Sequence, residues 1–303
     1  MIYELLSAGV VPDAVVGVSA GALNGVYLAA TPLERAGSGL VAIWEDIARR
    51  GIYDAGSPKR LWAVIRQHDS LDPGTKLAEI IRDYCPVDDL SECHTQVLVG
   101  TLDLSTGTST WHDRGLAHTR LMASSAIPGV FPPVILGEHR HIDGGVASPV
   151  PIAAAMRFSP TTLVILDVTM LDEPPRSDHP SGPPPSSALG VLLAGFDAAR
   201  RSVAASEYAS IPPHVKTVVI RAGLHGALSA DATLHIPTII AHGKAAAARA
   251  LAEHPDLINH EPIPQLVSHV SLRASAHSVH RRREDRSSHF SPKNTQPPAE
   301  AGG

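Results

Sequence analysis

The chain has 303 residues, 44% hydrophobic and 18% charged, a balance that suits a globular fold with a substantial core. A formal net charge of −5 leaves no electrostatic case for nucleic-acid binding, and no apolar run approaches the about 20 residues needed to cross a bilayer. The two cysteines, Cys85 and Cys93, suit a reducing compartment, and the 17 histidines lie scattered, without H-E-x-x-H or C-x-x-C spacing, so no metal or other cofactor is expected.

In chain order, Met1 to Gly9 reads as a helix with Ile2, Leu5 and Leu6 on one face and Gly9 as its stop. Pro12-Asp13 turns the chain into a strand over Ala14 to Val18, and a helix follows to about Ala30. Thr31-Pro32-Leu33-Glu34 has the form of a capping box with Pro at the first helical position, opening a helix that runs through Trp44 and Ile47 to Arg50. Ser57-Pro58 opens another, carrying Leu61, Trp62 and Ile65, and Thr75 to Tyr84 forms a further one. Thr95 to Leu102 switches to a strand pattern, and Ser105-Thr106-Gly107 turns it towards Thr108 to His112.

A short helix around Leu116 to Ser125 leads into a proline-rich stretch, Ile127 to Val134, unsuited to regular structure. Thr162 to Val168 is a continuous apolar run, as expected of a strand buried on both faces. Residues 172–187 are Pro-, Ser- and Gly-rich and read as a loop within the domain. Ala188 to Tyr208 is helical, Lys216 to Arg221 a strand, and Pro237 to Glu253 an Ala-rich helix. The domain is expected to span 1–273, and 274–303, rich in His, Arg, Ser and Pro, to be a disordered tail whose basic cluster His280 to Arg286 is solvated. Helices alternating with buried strands indicate an α/β layered fold.

Val15-Val16-Gly17-Val18-Ser19-Ala20-Gly21-Ala22 carries the chemistry. A strand runs into G-x-S-x-G and then into a helix, the pattern of a nucleophile elbow that lifts the serine hydroxyl from a sharp turn. Side chains at Gly17 and Gly21 are expected to collide where strand and helix pass. The helix N-terminus directs the Ala20 N–H and a positive dipole to where an oxyanion would form. An α/β-hydrolase with chain order Ser, Asp, His is one reading. It offers His225, His235, His242, His254 and His260 without distinguishing any, and only one helix and one strand precede the elbow. Asp143 stands out more clearly, at the end of a short strand and followed by Gly144 and Gly145, which free the backbone to turn or to let another segment come close. A plain Asp-Gly turn is the simpler alternative.

Gly17-Val18-Ser19-Ala20-Gly21-Ala22-Leu23-Asn24, then Ala123 to Pro133 (A-S-S-A-I-P-G-V-F-P-P), then Asp143-Gly144-Gly145 resemble the patatin-like phospholipases, the Ser–Asp dyad lipid acyl hydrolases. Thr101 to Gly107 resembles the strand and turn that this family places between them, and the likeness covers roughly residues 1–170. It implies a three-layer fold with a mostly parallel central sheet and helices on both faces. It also implies Ser19 as nucleophile, Asp143 as general base, an acyl-enzyme intermediate, and a lipid or phospholipid substrate met at a membrane surface. A carboxylate serving as base is expected to be raised in pKa by burial. Asn24 and Asp103 are read as structural.

Two departures accompany the resemblance. The family's Gly-rich oxyanion loop and its first strand are missing ahead of the elbow, so the nucleophile strand should have an unpaired edge. Met1 is therefore read as an internal methionine of a longer protein, and the chain as written is expected to hydrolyse weakly. Pro149 also stands where the family has Asn. Alternatives are a lipid-binding pseudoenzyme and, further off, the His-dependent esterase. With no signal peptide visible, a cytoplasmic protein with peripheral membrane contact is expected. Ala188 to Phe196 is read as core helix rather than an interfacial element.

Overall fold

α1 (Ile2–Ser7), the first element of the computed structural model, divides its apolar residues between two cores. Leu5 packs with Val164, Leu166, Val218 and Ile220, whereas Leu6 packs beside Val15, Leu28 and Leu33. The structure describes residues 1–50, 74–168, 188–221 and 236–266, and these belong to one unit, Met1–Ser268. The expected helix at Ser57, the Pro-rich loop and the tail lie outside the described residues.

The elements that follow α1 are β1 (Ala14–Val18), α2 (Ala20–Ala30), α3 (Leu33–Arg50), α4 (Thr75–Tyr84), β2 (Gln96–Asp103), β3 (Thr108–His112) and α5 (Ala117–Ser124). Next come β4 (Val134–Leu136), β5 (His139–Asp143), α6 (Ile152–Ala155), β6 (Thr162–Asp167), α7 (Ala188–Ala209), β7 (Lys216–Arg221) and α8 (Ile236–Glu253). The capping box at Thr31 does not form. The Pro32 carbonyl takes the first N–H groups of α3, from Arg35 and Ala36, while the Thr31 side chain is turned towards Tyr27.

Register decides where the site is assembled. β1 runs parallel to β2 with Val18 opposite Gly100, and β5 runs antiparallel to β2 with Asp143 opposite Thr101. β3 pairs with Val99 to Asp103 and so takes the other edge of β2. β1 and β5 therefore share one edge of β2 end to end, and their C-terminal ends meet at Gly100 and Thr101. Pairing is parallel in β1–β2 and in the separate two-stranded sheet β6–β7, but antiparallel for β3, β4 and β5, so the five-stranded sheet built on β2 is mixed rather than mostly parallel. The cause is local: β2–β3 and β4–β5 are joined by tight turns, and a tight turn can only return the chain antiparallel.

Helices flank the strands on both faces. Ala22, Val26 and Ala29 of α2 pack with Leu77 and Ile81 of α4, Leu121 of α5, and Val97 and Val99 of β2. The pair β6–β7 alternates as strands should. Val164, Leu166, Val218 and Ile220 face α1 and α8, while Leu163, Ile165 and Val219 face Val150, Ile152 and Ala204. Full burial on both faces is not reached, however. Leu163, Val164 and Leu166 remain half-buried, as do Ala14, Val15 and Val16 of β1. β6 pairs with β7 alone, and β1 with β2 alone, among the described strands.

Candidate active site

Ser19 leaves β1 at φ 53° and ψ −128°, a left-handed conformation uncommon for a residue with a side chain, and caps α2. The helix passes so close to the strand that a Cβ on Gly17 would lie 2.4 Å from the carbonyl carbon and oxygen of Gly21. Gly17 is therefore required on steric grounds. Gly21 is not: a Cβ there would have nothing within 4 Å, which corrects the expectation that both glycines avoid a collision. The strand meets the backbone of Gly21, while its Cβ position faces open space. The Ala22 and Leu23 N–H groups bond to the Ser19 carbonyl. Those of Ala20 and Gly21 have no acceptor among the described residues, leaving two donors at the positive end of α2.

Asp143 ends β5 and is only 6% exposed. Its Oδ1 accepts the Gly145 N–H at 2.7 Å, and the Ser19 side chain faces the carboxylate. Burial raises its pKa, opposed by the Ser19 side chain, the Gly145 N–H and the charge of Arg200. Gly144 allows the close turn, since a Cβ there would lie 2.5 Å from the Gly100 carbonyl oxygen. Ser19, Ala20, Gly17, Gly21, Asp143, Gly144 and Gly145 are thus brought together where β1 and β5 meet.

The segment Ala123 to Ala126 holds both halves of this arrangement. The fully buried Ser124 hydroxyl donates to the Gly100 carbonyl at 2.7 Å and accepts the Ser19 N–H at 3.0 Å. Two residues on, the Ala126 carbonyl accepts the Asp143 N–H at 3.0 Å. The sequence drew attention to this stretch but not to these bonds. Arg200 of α7, whose Nε donates to the Gly145 carbonyl at 2.9 Å, carried no sequence signal at all.

A known protein family described as patatin-like phospholipase matches residues 1–156, just over half of the chain. The chain belongs to the patatin-like phospholipase family. The matched region contains the elbow, Ser124 and Asp143, and the family is one of lipid acyl hydrolases. Asn24 and Asp103 do structural work in this patatin-like domain, as expected. Asn24 accepts the Trp44 indole N–H at 2.7 Å, and Asp103 accepts the Ser105 N–H at 2.7 Å and pairs with His139.

His225 and His235 lie outside the described residues. His242 and His254 belong to α8 and its end, and His260 bonds to the Glu261 carbonyl. Behind Asp143, two other histidines converge on buried Thr101, whose Oγ1 lies 2.9 Å from His112 Nε2 and 2.9 Å from His141 Nδ1. One hydroxyl proton serves two rings, so Thr101 donates to one nitrogen and accepts from the other. Burial lowers the pKa of both rings, that of His112 to about 4.

Two hollows lie away from Ser19. A cavity of about 30 Å³ behind α2, lined by Leu23, Trp44, Ile81 and Leu121, is the size of a water molecule rather than an acyl chain. An open polar groove of about 960 Å³ lies at the N-terminal end of β2, around Gln96, Arg114 and Arg157, opposite the end where Ser19 sits. No described helix is long and apolar enough to cross a membrane.

Proposed function

We propose that the chain is a serine acyl hydrolase that cleaves fatty-acyl esters of phospholipids or related lipids, with Ser19 as nucleophile and Asp143 as general base. The observation that supports this most is the buried carboxylate of Asp143, raised in pKa and faced by a serine on a strained helix-capping turn. Asp143 accepts the hydroxyl proton as Ser19 Oγ attacks the ester carbonyl, because a serine hydroxyl is a poor nucleophile until its proton is taken. The N–H groups of Ala20 and Gly21, with the α2 dipole behind them, stabilise the negative oxygen of the tetrahedral intermediate. Its collapse releases the alcohol, which takes the proton from Asp143 and leaves the acyl group on Ser19. Water attacks that ester with Asp143 again receiving the proton, which it returns to Ser19 Oγ as the acyl–Oγ bond breaks and the fatty acid leaves. The substrate is met at a membrane surface, where the protein acts peripherally.

A fluorophosphonate probe tests the reading. Covalent labelling of the parent that is lost in Ser19→Ala and strongly slowed in Asp143→Asn is expected, together with fatty-acid release from phospholipid vesicles. Labelling that persists in Ser19→Ala overturns it. A second reading is lipid binding without turnover. Vesicle binding without labelling selects that reading.

A further inference from the structure

α7 reaches the turn after Asp143 from outside the segment that carries the family likeness. Its residues Arg200, Ala204 and Glu207 recur at spacings of four and three and therefore share one helix face. Ala204 is fully buried, in one apolar cluster with Val150, Ile152 and Ile165. On either side of this contact a charged residue grips the turn. Arg200 Nε donates to the Gly145 carbonyl at 2.9 Å, and Glu207 accepts from the Ser148 hydroxyl through Oε1 and from the Val150 N–H at 3.0 Å through Oε2. Gly145 in turn donates its own N–H to Asp143 Oδ1 at 2.7 Å.

We infer that Arg200 and Glu207 are positioning residues for the Ser19–Asp143 dyad, clamping residues 145–150 so that Gly145 holds the Asp143 carboxylate towards Ser19. This rests on the hydrolase reading above. The clamp is bipartite. Glu207 fixes the far end of the turn by geometry alone, whereas Arg200 fixes the near end and also brings a positive charge to Asp143. A Cβ placed on Gly145 would lie 3.1 Å from Asp143 Oδ1 and 3.4 Å from Arg200 Nη2, which puts guanidinium and carboxylate on the same side of that residue. The other elements packed against Asp143 present Ser19 from the elbow and Thr101 from β2, both uncharged. Asp103 and His141 pair two residues further along the ladder, and Arg200 is the charge whose field acts on Asp143.

Charge and geometry can be separated by three variants in the full chain, with the labelling rate of Ser19 by a fluorophosphonate probe followed from pH 5 to 9. In Arg200→Gln the acid limb of the profile should move up by about one pH unit, as expected when an opposite charge is removed from beside a carboxylate. Its plateau should fall by tenfold or more, given that a misplacement of about 1 Å costs about 10² in rate. Arg200→Lys keeps the charge but not the Nε bond, so the limb should stay near that of the parent while the plateau falls. Glu207→Ala removes the acceptors of both the Ser148 hydroxyl and the Val150 N–H, so its plateau should fall with no movement of the limb. Thermal unfolding confirms that each variant is folded, and Arg200→Lys tests the clamp if Arg200→Gln is not. A folded Arg200→Gln and Glu207→Ala with parental plateau and limb overturn the inference while leaving the dyad standing. A parent that labels equally well after Ser19→Ala removes the dyad and the inference with it.

Discussion

Gly17 and Gly21 are equivalent in the G-x-S-x-G pattern and opposite in the folded chain, so exchanging each for alanine is a direct test of the elbow geometry. In Gly17→Ala the new Cβ lies 2.4 Å from the Gly21 carbonyl carbon and oxygen and 2.7 Å from the Ala22 nitrogen, whereas ordinary contact begins at 3.4 Å. All three atoms are backbone, so no side chain can swing aside, and α2 must move about 1 Å from β1. Overpacking of this kind costs about 1–3 kcal/mol, or more where the backbone cannot yield. In Gly21→Ala the Cβ meets nothing within 4 Å, and Gly21 is not among the residues at positive φ. Relief of glycine's chain entropy should then stabilise the helix by up to about 1 kcal/mol. Urea unfolding followed by tryptophan fluorescence should separate the two variants by at least about 1 kcal/mol, with unchanged slope. Gly17→Ala as stable as the parent, or Gly21→Ala equally damaged, would refute the close approach of α2 to β1 described above.

Ser124→Ala leaves two buried partners, the Ser19 N–H and the Gly100 carbonyl, each without its bond to the hydroxyl; at about 1–3 kcal/mol for each group left unsatisfied, unfolding should show a loss of about 2–4 kcal/mol. A loss below about 0.5 kcal/mol, the range of ordinary surface substitutions, would show that the hydroxyl does not hold the elbow. Asp143→Asn should be more stable than the parent at pH 7. Because the folded pKa of this carboxyl is raised, its ionisation costs stability as pH rises from the unfolded value through the folded one, and below about 3.8 that advantage should vanish. Equal stability of the two proteins at pH 7 would contradict it. His112 has a folded pKa depressed from 6.5 to about 4, so the unfolded chain binds its proton first as pH falls. Thermal midpoints should decline between pH 6.5 and 4, and His112→Gln should show a shallower decline; an identical slope in the variant would remove His112 as the cause.

Much of the site was legible in the sequence because its demands are local. A serine turned sharply between strand and helix needs a glycine two residues before it, and a carboxylate that must turn at once into the next segment needs the glycines that follow Asp143. Helix and strand periods exposed the α/β order for the same reason. Local reading failed where the deciding neighbour was remote. At the expected Thr31 capping box the Pro32 carbonyl takes the first N–H groups instead, and the apolar run of β6 is only half-buried because burial depends on what lies beside its edge.

By itself, then, the sequence determined the chemical groups at Ser19 and Asp143, the turns that present them, and the family to which they belong. Only the tertiary structure decided that these groups meet. They do so because β1 and β5 occupy the same edge of β2 from opposite directions and end at neighbouring residues, Gly100 and Thr101. Only the tertiary structure, too, assigned Ser124, Ala126, Arg200 and Glu207 to holding them there. Each acts on backbone groups far away in the chain, and a peptide N–H or carbonyl is the same at every residue, so nothing in the sequence marks which ones these side chains and carbonyls will find.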